Sequence, residues 1–281
     1  MIGTPAPSPL ALERAAYRRS RARRSTLVAV VSTAVFAAAL VLVVSSAPGW
    51  PRVQATFFDP ATAWESLPAV LAGLWLNIRV LVAAEIGILV LGLIIALLRT
   101  LRGPVFFPVR VLAIGYVDLF RGIPLIIALY LIGFGVPGLR LQGVPTDAAV
   151  LGTITLILVY SAYVSEVFRA GIESVHPSQR MAARSLGLTH RQSLRLVVLP
   201  QAVRRVLPPL LNDFVALQKD VGLISVLGAV DAVRAAQIQQ ANSFNFTPYV
   251  VAALLFVLLA VPTGRIADAL SARAARRQGA V

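Results

Sequence analysis

The chain of 281 residues contains no cysteine, one lysine (Lys219), two histidines and only 12 acidic residues. Without cysteine there are no disulfides, no thiolate metal sites and no thiol chemistry. No GxxxxGK[ST] sequence occurs, and Lys219 follows a glutamine, so the chain cannot cradle nucleotide phosphates by that device. His176 and His190 both fall in a basic loop and read most simply as polar loop residues, which leaves no catalytic or metal-ligating cluster. The sequence does not read as that of an enzyme.

What the chain does contain is apolar. Hydrophobic residues make up 58%, charged residues 14%, and the mean hydropathy is +0.80. A soluble domain of this size could not bury so much apolar surface. The expected fold is therefore all-α and polytopic, with about six transmembrane helices. The formal charge of +14 and a pI near 11.5 would suggest a nucleic-acid partner in a soluble protein. Here the arginines cluster at the ends of apolar segments, where they set topology and meet anionic headgroups. The expected partner is the lipid bilayer and not nucleic acid.

Residues 1–25 read as a basic cytoplasmic tail and 26–47 as a retained membrane helix, since a cleaved signal would have a shorter apolar region, about 7–15 residues. An outer connection rich in proline and aromatic residues follows to Leu67. A second span runs from Pro68 to Leu98, interrupted by Asn77, Arg79 and Glu85, and Arg99, Arg102 and Arg110 mark the cytoplasmic return. The third span, Val105 to Phe134, carries Gly122 and Pro124, which break a helix by removing a donor and disfavouring helical geometry. A break within the membrane survives only where protein or a water-filled cavity satisfies the freed groups. Asp118 and Arg121, three apart, share a face, a spacing that allows them to neutralise each other. Two readings stand open: a wall of a translocation path, or a kinked packing helix with a structural ion pair.

In the fourth span, Ala148 to Phe168, Tyr160, Tyr163 and Glu166 follow along one face, and Arg169 is the expected structural partner of Glu166. The fifth, Val206 to Leu227, is opened by Pro208 and Pro209 and gathers Asn212, Asp213, Gln218, Lys219 and Asp220. Such groups are costly in lipid and are expected to line the interior, with Asn212 and Lys219 on one face. An outer loop from Ala229 to Thr247 leads to the last span, Pro248 to Ile266, and residues 269–281 form a basic cytoplasmic end. The arginine bias places both termini in the cytoplasm.

Between the fourth and fifth spans lies a basic stretch that reads as a short amphipathic helix, a glycine and a second helix entry. AARSLG at Ala182–Gly187, a spacer, and VVLP at Val197–Pro200 resemble the cytoplasmic loop of the membrane subunits of binding-protein-dependent ATP-binding cassette (ABC) importers. FRGIPL from Phe120, AYVSEVFRAGI from Ala162, LPQAVRRVLPPLLNDF from Leu199 and KDVGLISVLG from Lys219 resemble the polar amino acid permeases of that family, of bacterial plasma membranes. The resemblance implies a five-helix core over 67–268, with 26–47 an addition to it. It also implies a coupling loop, 170–205, that docks on an ATPase subunit through Met181, Ala182, Ala183, Leu186, Gly187 and Pro200. Small alanines would permit close helix approach, Gly187 a sharp turn, and Leu186 an apolar anchor. Met181 stands where the family usually has glutamate, and Val221 and Gly222 replace its common Thr-Ser; the first departure points to a second, nonidentical permease subunit.

In this reading the chain binds no cofactor. ATP and Mg belong to a partner ATPase dimer, and an extracytoplasmic binding protein delivers an amino acid, glutamate-like or glutamine-like. Asp118, Arg121, Asn212, Lys219 and Asp220 are the candidates for the substrate path. A zwitterion needs an acceptor for its ammonium and donors for its carboxylate, and these residues supply both. The alternatives are a stand-alone carrier driven by protons or sodium, with Asp118, Glu166 or Asp213 as its ion site, and a non-transporting scaffold.

Overall fold

The computed structural model describes residues 8–101 and 103–278. All its regular elements are helical among the described residues, and the chain divides into two units, Met1–Thr56 and Phe57–Val281. In the first unit α1 (Pro9–Ser45) runs for 37 residues, and all its described side chains are exposed. Its stretch Arg21–Ser45 is long and apolar enough to cross a membrane. Most of the expected tail proves to be the start of this helix. The exceptions are residues 1–7, which lie outside the described residues, as do Arg102 and the side chains of Arg14, Arg18, Arg19, His190, Arg276 and Arg277. A short helix, α2 (Trp50–Phe57), ends the unit.

The second unit opens with α3 (Pro60–Thr100). Its first amides are capped by Asp59, whose carboxylate accepts from the N–H groups of Ala61 (3.2 Å) and Thr62 (3.3 Å), and Pro60 sits where no donor is needed. At 41 residues it extends about 60 Å, twice a hydrocarbon core of about 30 Å. The second helix thus begins before Pro68, and the expected outer connection is largely helical.

The third span is broken where expected. α4 (Phe107–Gly122) and α5 (Leu125–Gly133) are separated by Ile123 in extended conformation and Pro124, and the two halves of the span meet at 106°. A single turn, α6 (Gly135–Gly138), closes the segment. Then come α7 (Ala148–Glu173), α8 (Pro177–Ser185), the turn α9 (His190–Ser193), a π-helical turn at Leu194–Val198, and α10 (Leu199–Asp220). α10 continues as a 3₁₀ segment, Val221–Leu227, that stops at Gly228 (φ +91°). α11 (Ala232–Ser243) and α12 (Thr247–Gln278) complete the chain.

Four of these helices are long and apolar enough to cross a membrane, and the count reaches six if each of the two bent pairs is one span. Two expectations change. Pro208 and Pro209 lie inside α10 and do not open it; Pro200 occupies the first turn instead. The outer loop is largely α11, whose Ala232, Ala235 and Ala236 are buried. The small side chains permit this approach, because a Cβ at Gly73 of α3 would collide with the backbone of Asp231.

The central cluster joins α3, α7, α10 and the 3₁₀ segment through Val80, Ala84, Ile88, Leu156, Val164, Leu217 and Ile224. Within it, Asn77 is fully buried and ties α3 to the turn before α11. Its Nδ2 donates to Val221 O (3.2 Å) and Asp231 Oδ2 (3.0 Å), and its Oδ1 accepts from the Ala232 N–H (3.0 Å). Gln218 of α10, also buried, accepts at 2.7 Å from Thr263 of α12.

Candidate functional site

The break between α4 and α5 leaves room beside α7 and α10. A cleft of about 470 Å³ lies there, bounded by Arg121 to Leu125, by Val159, Tyr160 and Tyr163, and by Asp213, Ala216 and Asp220. Tyr160 donates to Asp220 Oδ2 at 2.7 Å, which fixes that carboxylate on the cleft wall. The Arg121 guanidinium lies over the Tyr163 ring, 5.6 Å from its centroid, and the Tyr163 hydroxyl donates to Arg121 O at 3.4 Å. Asp213 Oδ2 is buried and has no hydrogen-bond partner among the described residues. The first turn of α5 lacks a side-chain cap, so its leading amides remain available to an acceptor.

Of the five path candidates, Arg121 and Asp220 come together in this cleft. Asp118, Asn212 and Lys219 do not line it, and all three side chains are exposed. The neutralisation of Asp118 by Arg121 that their spacing allows is not formed among the described residues: Arg121 turns to Tyr163 and Asp118 is exposed. Three apart on a helix is a necessary spacing for a pair but not a sufficient one, and here the aromatic face offers the guanidinium a better-packed position.

Glu166 and Arg169 are paired, at 2.7 Å from Nη2 and 3.2 Å from Nε. The pair is part of a larger network. Arg99 from the end of α3 binds the other oxygen of Glu166, and Arg169 also reaches Glu173 at 2.6 Å. Glu173 was legible as an i,i+4 partner; nothing local marks Arg99, which is 67 residues away from Glu166.

The basic loop is built on α8. His176 caps it, its Nδ1 accepting from the Ser178 N–H at 3.2 Å, and Pro177 occupies the first turn. The far end closes in a Schellman arrangement: the Gly187 N–H donates to Arg184 O (2.9 Å) and the Leu188 N–H to Ala183 O (3.1 Å). Gly187 has φ +82°, a conformation that disfavours any side chain. Two arginines tie the loop to the end of α7: Arg180 donates to Ile172 O at 2.8 Å, and Arg205 of α10 donates to Ser174 O. These contacts fix which way α8 faces. Ala183 is buried against the chain's own loop, while Ala182, Met181 (60% exposed) and Leu186 (82%) face out. Pro200 is exposed and follows the π turn, where the Leu199 N–H already reaches back to Leu194 O and the regular ladder is interrupted.

A long helical body, a broken span enclosing a mixed-charge cleft, and a short pinned helix between two spans define a multi-pass membrane transport subunit. Residues 88–276 match the family described as binding-protein-dependent transport system inner membrane component, and the chain belongs to that family. It is 36% identical over 184 residues to the probable glutamine ABC transporter permease protein GlnM of Bacillus subtilis (strain 168), covering 64% of this chain and 82% of that one. It is 31% identical to the arginine transport system permease protein ArtQ of the same organism, covering 69% and 86%. Among solved structures, a chain from "Crystal structure of an amino acid ABC transporter with histidines" is 32% identical, with a TM-score of 0.70, covering 76% of this chain and 98% of that one.

Proposed function

We propose that this chain is the permease subunit of an ABC importer for a polar amino acid, glutamate-like or glutamine-like, in a bacterial plasma membrane with both termini cytoplasmic. It works with a second, nonidentical permease subunit, an ATPase dimer that holds the ATP and Mg, and an extracytoplasmic binding protein. The chain itself holds no cofactor and performs no hydrolysis. The observation that carries the reading is the pinned α8, which turns Met181 and Leu186 outward from a loop held by Arg180 and Arg205. Such a surface is what an ATPase subunit can grip. The names of the relatives support an amino acid as cargo.

The cleft offers what a zwitterion requires. Asp213 and Asp220 accept from its ammonium, with Tyr160 fixing the second; Arg121 and the uncapped start of α5 donate to its carboxylate. The carrier alternative is less favoured. Glu166 is already held by two arginines, and Asp118 is exposed outside the cleft with no polar group gathered around it among the described residues, which makes both poor ion sites.

The test is to tag the chain, extract it in mild detergent with its native partners, and compare it with Gly187→Trp, whose side chain is forced into a left-handed turn. An ATP-binding subunit that copurifies with the parent and is depleted in the variant supports the reading, as does ATP-dependent glutamine uptake by the reconstituted complex. Uptake driven by an ion gradient with no ATPase present refutes it.

A further inference from the structure

We infer that the outward face of the basic loop docks into an acidic groove on its ATPase partner, with cations on the permease side of the contact and carboxylates on the other. This rests on the permease reading above and specifies the chemistry of that partner. Between Ser174 and Asn212 there is no acidic residue, whereas Arg180, Arg184, Arg191, Arg195, Arg204 and Arg205 all lie there. The arginines divide by role. Arg180 and Arg205 turn inward onto the carbonyls of Ile172 and Ser174. Arg184, Arg191 and Arg195 are exposed and make no hydrogen bond or ion pair among the described residues.

The three free cations share the loop with Met181 and Leu186, which face out of the chain. An exposed apolar pair beside unpaired guanidinium groups is the pattern of an interface anchor inside a charged rim. A guanidinium suits a bidentate carboxylate, and no carboxylate of the loop competes for it. Anionic lipid is the other ligand with this charge. It is the poorer fit, because α8 (PSQRMAARS) has one large apolar side chain in nine residues and its buried Ala183 faces the protein; too little apolar surface remains to hold it in a bilayer interface.

The experiment uses the full chain in phosphatidylcholine nanodiscs and the ATPase subunit that copurifies with it, purified separately. Binding is measured as salt rises from about 0.05 to about 0.3 M, a range that shortens electrostatic reach about 2.5-fold. The expected results are binding that weakens with salt, a loss of about tenfold or more for Arg184→Gln with Arg191→Gln, and a smaller loss for Arg184→Lys with Arg191→Lys, which keep the charge but not the bidentate fork. Because the chain has no cysteine, Ser185→Cys gives a single labelling site on α8 for a parallel reading in phosphatidylglycerol nanodiscs. Salt-independent binding, or parental ATPase binding by the glutamine pair, overturns the inference and leaves the permease reading standing. A label that responds to phosphatidylglycerol only when both arginines are present, with ATPase binding unchanged, also overturns it and assigns the cations to lipid. An ATPase that fails to bind the parent overturns both.

Discussion

Replacing Asn77 by leucine tests whether the buried polar junction holds the helical body together. Leucine keeps the branched heavy-atom skeleton, at a larger volume, but removes the acceptor of the Ala232 N–H and the donor to Val221 O and Asp231 Oδ2. Asn77 is 1% exposed, so these groups find no ready substitute in bulk solvent. Each buried group left without a partner costs about 1–3 kcal/mol, which gives about 3–9 kcal/mol for the three, with the Asp231 carboxylate the largest share. For a domain of this size the lower end of that range is already a fall in unfolding temperature of roughly 6 °C or more, read by thermal unfolding in mild detergent. Asp231→Asn in the same chain removes the orphaned charge and recovers part of the loss, a coupling that a double-mutant cycle measures. A single-variant shift under about 2 °C would refute the reasoning, because the junction would then contribute nothing that the apolar packing does not supply.

Gly171→Leu places a side chain where even a Cβ meets Val206, so α7 and α10 must separate; the expected cost is about 1–3 kcal/mol by the same unfolding assay. Glu166→Gln leaves Arg99 without its carboxylate and Arg169 with Glu173 alone, and partial exposure limits the expected loss of stability to about 1–3 kcal/mol. Tyr160→Phe frees Asp220 without changing shape. Reconstituted uptake should show a KM raised severalfold with the unfolding temperature within a few degrees, and an unchanged KM would remove Asp220 from the cargo site.

Much of the helical body was legible because hydropathy and arginine placement are local signals. The break at Gly122–Pro124 and the glycine-closed helix before Gly187 belong to the same class, since proline and a positive φ act on their own neighbours. What escaped depended on partners distant in sequence. α11 reads as loop because its glutamines and alanines carry little apolar signal; its helix is held by burial of Ala232 and Ala236 against α3 and α12, with Gly73 allowing the approach. Asn77 looked like an interruption of a span, and only contact with Asp231, 154 residues on, makes it a junction. Lys219 and Asn212 do share a polar span with Asp220, but the rotation of α10 turns Asp220 to Tyr160 and leaves the other two exposed. The proline pair lies inside α10 because the helix had already begun at Leu199, after a π turn that composition does not announce.

The two arginine ties at the base of α7 remove slack. Arg180 and Arg205 grip carbonyls two residues apart, so α8, the end of α7 and the start of α10 form one stiff corner. In the permease reading proposed above, a load applied to α8 would reach α10, which carries Asp213 and Asp220 together at the cleft wall, with Pro208 and Pro209 between the corner and those carboxylates. Stiffness at that corner would then decide whether a small stroke at one end moves both carboxylates relative to Arg121 across the cleft.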